Sequence, residues 1–284
     1  MKSNTYLGLI GVLGIWLTAG LALPFVNVLK AFTPEQLMVF RGFLTASMAF
    51  IGLGGKFSRV DHYTWLIAIT MPFATLGLFE GIRHWGAGPT IIIITATPVV
   101  NIIVSFFLGR QISAASIIGL ILVLGGVIIA NGGGRFQLAG FLWTIFGTIM
   151  NGILYEFFAR AKALPLQKCF YACLGMGILG LILSSLSSST VQMNASLITT
   201  LLGFAFIGGL LYWYANLLAF EHLPTPEASV LAQGETPAVI IGAFFLLGER
   251  LIWTQSIGVV VSIIGACYLS WWLAKKQPKS SAPL

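Results

Sequence analysis

The chain has 284 residues, 57% of them hydrophobic and only 8% charged, where a soluble domain carries roughly 25% charged residues. That composition excludes a soluble enzyme or binding module and leaves no polar stretch long enough to fold as a separate soluble domain. The net charge of +7 does not indicate a nucleic-acid partner, because the basic residues are scattered among short connections instead of forming one stripe.

Apolar segments of about 20 residues, the length needed to cross roughly 30 Å of hydrocarbon at 1.5 Å per residue, recur along the sequence. Cut at charges, prolines and polar clusters, they give ten spans, near residues 6–29, 34–54, 62–84, 88–108, 113–131, 137–159, 168–188, 196–219, 225–247 and 252–273. The first follows Lys2 and superficially resembles a secretory signal. Its apolar run continues to about Val28, longer than a signal core, so it reads as a spanning helix. In the seventh span Cys169 and Cys173 lie one turn apart. With three cysteines in all and no metal-ligand or disulfide framework, they read as small buried hydrophobes.

Ten spans place both termini on one side, and the basic residues say which. Cytoplasmic termini put Lys2, Lys56, Arg59, Arg110, Arg160, Lys162, Lys168, Lys275, Lys276 and Lys279 inside, against Lys30, Arg41, Arg83, Arg135 and Arg250 outside or in an outer half. The expectation is a bacterial inner (plasma) membrane protein with both ends in the cytoplasm.

Residues 90–126 align with 229–265 at one gapless offset of 139. The offset pairs Thr97 with Thr236, Pro98 with Pro237, Val100 with Val239, Ile102 with Ile241 and Phe106 with Phe245, then Leu108 with Leu247 and Ile118 with Ile257. It also pairs Gly109 with Gly248, Gly119 with Gly258 and Gly126 with Gly265. The expected fold is therefore an all-α integral membrane protein, ten transmembrane helices as two inverted five-helix repeats. The repeats cover 1–134 and 135–274, with a polar cytoplasmic tail at 275–284. Five is odd, so the second repeat enters the membrane inverted, and inverted repeats imply alternating access around a midplane site.

Each half ends in a proline-bearing helix, a short turn and a Gly-rich helix: "TPVVNIIVSFFLGRQISAASIIGLILVLGGVIIA" and "TPAVIIGAFFLLGERLIWTQSIGVVVSIIGACYL". This resembles the EamA-type members of the drug/metabolite transporter superfamily. The resemblance implies a ten-helix secondary carrier or exporter of small polar organic metabolites such as amino acids or amines, working without ATP hydrolysis or a cofactor. One departure is visible: Glu249 of the second half aligns with Arg110 of the first. Glu249 and Arg250 read as an interfacial turn. The glycines at a seven-residue spacing lie about 20° apart on one helix face and read as packing seams, within a monomer or in a weak homodimer.

Ionisable side chains within a bilayer are functional candidates by default, but most have a local explanation. Glu156 precedes Arg160 by four residues, and Glu80 precedes Arg83 and His84 by three and four, spacings that form ion pairs on one helix face. Glu221 and His222 end a helix, and Glu227 occupies a first turn, where the helix dipole favours an acid.

Glu235 resists this treatment. It lies about ten residues into the ninth span, roughly 15 Å deep, on a face shared with Ala228, Ala232 and Gly242. Its partner under the offset is Ala96, so the acid breaks the twofold symmetry. A carboxyl in low dielectric holds a proton more readily than one in water, which suits proton coupling or binding of a cationic substrate; the alternative is a protonated structural glutamate. Arg41, about eight residues into the second span, can pair with Glu235, bind a substrate carboxylate or snorkel to the interface. Tyr212, Trp213, Tyr214 and Asn216 offer stacking surface or a packing belt. Trp16, Asn101, Asn151, Tyr155 and Gln233 are candidates by depth. Pro98 and Pro237 are expected to kink their helices as gates.

Neither HExxH nor GxSxG is present, and His62, His84 and His222 all sit at helix ends, which argues against an enzyme. Polar positions are isolated instead of recurring along several helices, which argues against a passive channel, the alternative reading.

Overall fold

The computed structural model describes residues 5–28, 32–85, 90, 93–107, 113–131, 137–186, 194–247 and 253–275. Lys2, Lys30, Leu108, Gly109, Arg110, Arg135, Gly248, Glu249, Arg250, Lys276 and Lys279, named above, lie outside them. Among the described residues every regular element is helical: α1 (Thr5–Val28), α2 (Pro34–Leu53), α3 (His62–Trp85), α4 (Thr97–Phe107), α5 (Ala114–Asn131), α6 (Leu138–Arg160) and α7 (Pro165–Ser184). Then come α8 (Ala195–Phe204), a π-helical segment (Ala205–Leu211) and α9 (Tyr212–His222), which form one continuous rod, followed by α10 (Thr225–Ala232), α11 (Glu235–Leu247) and α12 (Trp253–Lys275).

Seven stretches among the described residues are long and apolar enough to cross a membrane: α1, α2, α3, α6, α7, the α8–α9 rod and α12. The fifth expected span is a shorter apolar helix. The fourth and ninth differ from expectation in a way that matters for the site, because each is broken near its middle by a non-helical turn, at Thr95–Ala96 and Gln233–Gly234. Ile10, Leu13, Leu17 and Leu21 of α1 are exposed at a spacing of three to four residues, an apolar stripe turned outward as a lipid-facing helix requires.

Helix starts follow local chemistry. Thr33 and Gln36 form a reciprocal cap ahead of Pro34, and Gly54 closes α2 with φ 55, a left-handed value that glycine adopts without a Cβ penalty. Asn194 caps α8 by accepting the Leu197 amide at 2.8 Å.

Between helices, backbone approaches backbone at small residues, the way membrane helices gain packing without a hydrophobic drive. A Cβ on Gly42 of α2 would overlap the Gly177 backbone of α7, and one on Gly77 of α3 would overlap Gly147 of α6. Gly11 and Gly14 of α1 rest on Ala215 and Ala219 of α9, and Gly20 rests on Ala238 of α11. The Gly-rich helices α5 and α12 cross reciprocally within this chain: Gly126 abuts Gly258 and Ser262, while Gly265 abuts Leu122 and Val123. Taken in chain order, α1 packs on α9 as α3 packs on α6, α1 on α11 as α4 on α6, and α2 pairs with α7 and α5 with α12.

The end at which α3 begins is clasped by polar groups. Asp61 accepts the Thr64 amide at 3.0 Å and hydroxyl at 2.6 Å, and the Lys162 amide at 3.0 Å. Gln167 accepts from the Ser58 amide and hydroxyl and donates to the Ser58 carbonyl. Lys168, 1% exposed, donates to the Phe158 carbonyl at 3.3 Å and pairs with Glu221. Arg160 pairs with Glu156 at 3.6 Å and reaches the Tyr63 hydroxyl at 3.4 Å. At the other end Glu80 meets Arg83 at 3.2 Å and His84 at 3.3 Å, as the spacing anticipates. Cys169 and Cys173 are buried free thiols.

Two outcomes are expected from this packing. Gly126→Ala forces α5 and α12 apart and lowers thermal stability of the detergent-solubilised protein by about 1–3 kcal/mol, whereas Gly125→Ala, with no atom within 4 Å of a Cβ, leaves it unchanged or raised. Partial burial pushes the Asp61 carboxyl up, but the Thr64 hydroxyl and the Lys162 and Thr64 amides outweigh it and hold it below the usual range. A lowered folded-state value contributes stability above the unfolded value of about 3.9, lost as pH falls through the folded one. The difference in melting temperature between wild type and Asp61→Ala is therefore expected at neutral pH and absent in strong acid.

Candidate functional site

The two broken helices and the π-helical segment surround a cavity of about 340 Å³. Its lining runs along α3 from Ala74 to Ile82, takes Ala19 and Ala22 of α1, Arg41 of α2, and Phe204 and Gly208 of the rod. It therefore lies in the half of the bundle toward the start of α2 and the end of α3. The opposite half is filled by the buried side chains of Met71, Leu154, Phe158, Leu217 and Phe220, above the polar clasp. Toward the clasp the cavity is closed off by these packed side chains.

Glu235 lies on the cavity wall as the first residue of α11, so its carboxylate sits at the positive end of a half-helix dipole. The Tyr212 hydroxyl donates to its Oε2 at 2.7 Å. Arg41 lines the same cavity from α2, with its guanidinium carbon 5.2 Å from the Phe204 ring centre and one terminal nitrogen donating to the Gly208 carbonyl. Of the three expectations for Arg41, pairing with Glu235, binding a substrate carboxylate or snorkelling, the first is not seen, and the guanidinium is held by a backbone carbonyl. Among the described residues no hydrogen bond or salt bridge joins it to Glu235. Arg41 Nε is buried without a hydrogen-bond partner.

The aromatic cluster divides. Tyr212 and Trp213 line the cavity, and among the described residues Trp213 Nε1 has no hydrogen-bond partner. Tyr214, two residues on, is 36% exposed and turned away. Asn216 is buried outside the lining, its amide donating to the Tyr212 carbonyl at 2.9 Å. Tyr155 forms part of the floor, stacked on Phe220 at 4.2 Å and receiving a 3.3 Å hydrogen bond from Asn151, which also lines the cavity.

Three candidates chosen by depth belong to the framework. Trp16 Nε1 donates to the Leu231 carbonyl at 2.8 Å, and its indole fills the place where a Cβ on Gly234 would sit. Asn101 donates to the Gly152 carbonyl and accepts from Ser229, both at 2.7 Å, joining α4, α6 and α10. Gln233 donates to the Ser229 carbonyl at 3.3 Å. Of the five candidates chosen by depth, Asn151 and Tyr155 line the cavity and these three do not.

The prolines do not kink continuous helices. Pro98 and Pro237 stand in the first turn of α4 and α11, where the missing N–H would be unpaired anyway; the discontinuity is the turn before each. This also corrects the face assigned to Glu235, because helical periodicity with Ala228 and Ala232 does not run through the turn at 233–234. Sequence reasoning missed Thr75, Thr95 and Thr236 in the lining, because threonine is common on any membrane helix. It also missed Gly208, whose role is carried by its carbonyl. Among the described residues no group of three or more His, Cys, Asp and Glu side chains gathers to hold a metal ion.

Residues 138–271 match the EamA-like transporter family. A solved crystal structure of a protein superposes with a TM-score of 0.83 at 16% identity, covering 99% of this chain and 100% of its own; at that identity the likeness is one of fold. No curated protein matches the chain in sequence. The sequence match places residues 138–271 of this integral membrane protein in the EamA-like transporter family, of the drug/metabolite transporter superfamily, and the whole chain shares its fold with the solved structure.

Proposed function

We propose that the protein is a secondary active transporter that exports small polar organic metabolites, amino acids or amines among them, from a bacterial cell across its inner membrane. The observation that carries this reading is one cavity, flanked by two broken helices, with an acid and a base on separate walls and each bonded to a neutral group. Residues 1–134 and 135–274 act as inverted repeats whose relative rocking exposes the cavity to either side; the reciprocal packing of α1 with α9 and α3 with α6 supports it. The tail at 275–284 and both termini are cytoplasmic, so the sealed end with Lys56, Arg59, Arg160, Lys162 and Lys168 is the inner one. In this arrangement the cavity faces outward. The working unit is a monomer or weak homodimer, and no cofactor is involved.

Glu235 takes a proton or the cationic group of a substrate, and Arg41 takes an anionic group. Tyr155, Tyr212 and Trp213 give the aromatic wall on which an ammonium or a ring packs, and the Thr75 and Asn151 side chains offer neutral hydrogen bonds. The side chains present supply binding and charge without a nucleophile motif, in keeping with transport instead of catalysis.

Proteoliposomes loaded with a metabolite panel, with and without a pH gradient, test this. A carrier gives saturable flux and counterflow; flux lacking both for every well-recognised substrate marks a passive channel. Glu235→Gln is expected to abolish gradient-driven accumulation while equilibrium exchange persists, and gradient-driven transport at the wild-type rate would rule out proton coupling at this residue. Arg41→Gln is expected to raise the half-saturation concentration about 10- to 100-fold for carboxylate-bearing substrates, the scale of one lost charge-assisted hydrogen bond, and to leave simple amines little changed.

A further inference from the structure

We propose that Arg41 and Thr45 are positioning residues: by gripping carbonyls of the π-helical segment they keep Tyr212 on Glu235, so that capture of Arg41 by a substrate anion releases that hydrogen bond. The proposal rests on the reading of Glu235 as the proton or cation site.

In an α-helix the Tyr212 amide would donate to the carbonyl four residues back, Gly208. Here it donates to Ile207, five back, and to Gly209, three back. The carbonyl passed over is Gly208's, and Arg41's guanidinium takes it. One turn further along α2, on the same face, the Thr45 hydroxyl donates at 3.0 Å to the carbonyl of Ala205, the first residue of the π-helical segment. Two side chains of one helix thus supply the outside support that a wide turn needs, and such turns are frequent at functional sites. The approach is close enough that a Cβ on Gly209 would run into the Thr45 hydroxyl.

The wide turn sets the rotation of α9. Tyr212 and Trp213 are the first residues after the segment. Each helical residue turns the chain by about 100°, so rewinding the segment to α geometry swings Tyr212 through roughly that angle, away from Glu235. A substrate anion that takes the guanidinium leaves the Gly208 carbonyl for the Tyr212 amide, the α-helical pairing. Occupation of Arg41 and the hydrogen bond at Glu235 are then two readouts of one equilibrium, which is a coupling between sites in the thermodynamic sense. The titratable and charged groups facing Glu235 are the Tyr212 phenol from α9, the Tyr155 phenol from α6 and the Arg41 guanidinium from α2. Among the described residues α1 and α12, which also pack on α11, bring none near it.

The test needs no substrate. Infrared pH titration of the purified protein in lipid nanodiscs reads the Glu235 carboxyl as the band lost in Glu235→Gln. Tyr212→Phe moves its midpoint. Thr45→Val, which keeps the shape and removes the hydroxyl, is expected to move it the same way, Thr45→Ser to stay with wild type, and the Thr45→Val/Tyr212→Phe pair to move no further than Tyr212→Phe alone. A Thr45→Val midpoint at the wild-type value, or equal shifts for Val and Ser, overturns the proposal. A crystal structure of Arg41→Gln/Thr45→Val gives an independent readout: the Tyr212 amide is expected on the Gly208 carbonyl, and an unchanged wide turn with Tyr212 still on Glu235 overturns the positioning role whatever the titration gives. Should Glu235→Gln remove no pH-dependent band, the proton reading of Glu235 fails and that crystal structure alone decides the positioning role.

Discussion

In hydrocarbon a backbone carbonyl released from its helix must find another donor, because no water is there to supply one. The middle of this bundle is organised around that constraint. At the break before α11 the Leu231 carbonyl accepts from Trp16 of α1 as well as from the Gly234 amide. The wide turn leaves the Gly208 carbonyl to Arg41 of α2, and Thr45 of the same helix adds a hydrogen bond to the Ala205 carbonyl. The break before α4 is flanked by Thr97, whose hydroxyl donates to the Ile94 carbonyl at 2.6 Å, and by Thr148 of α6, which donates to the Ile93 carbonyl at 3.4 Å. Each irregularity is therefore tied to a named neighbour, and together they make irregular backbone tolerable where it lines a cavity.

Those donors reach their carbonyls only because the helices approach closely. Glycine on glycine at Gly42–Gly177 and Gly77–Gly147, and glycine on alanine at Gly11–Ala215, bring backbones together in the flanking pairs. Widening any of these seams lengthens the hydrogen bonds at the centre as well as loosening packing. The seams differ from the centre in kind: they are small-residue contacts between backbones, while the centre holds polar bonds.

How much of this the sequence carried can be judged residue by residue. Membrane character, most span positions, the Glu80 and Glu156 ion pairs and the depth of Glu235 all come from composition and spacing, which act locally. The repeated proline marked both broken helices, but periodicity alone could not separate a kink from a break, because the turn residues Thr95–Ala96 and Gln233–Gly234 read like ordinary membrane-helix sequence. The wide turn at Ala205–Leu211 left no pattern, since the side chains that sustain it, Arg41 and Thr45, lie about 160 residues away. Arg41 illustrates the limit: its sequence position fixed its depth, but its partner is a carbonyl, and carbonyls carry no residue code.

The partners chosen by the two charges also bear on mechanism. An Arg41–Glu235 ion pair would satisfy both residues and resist any ligand, because removing one member of a buried pair strands the other at a cost of several kcal/mol. Each charge is held instead by a neutral group, a phenol for the acid and a carbonyl for the base. A ligand with an ionic group can replace a neutral partner with a charged one, roughly doubling the strength of that contact, and the displaced Gly208 carbonyl has the Tyr212 amide as an alternative within its own helix.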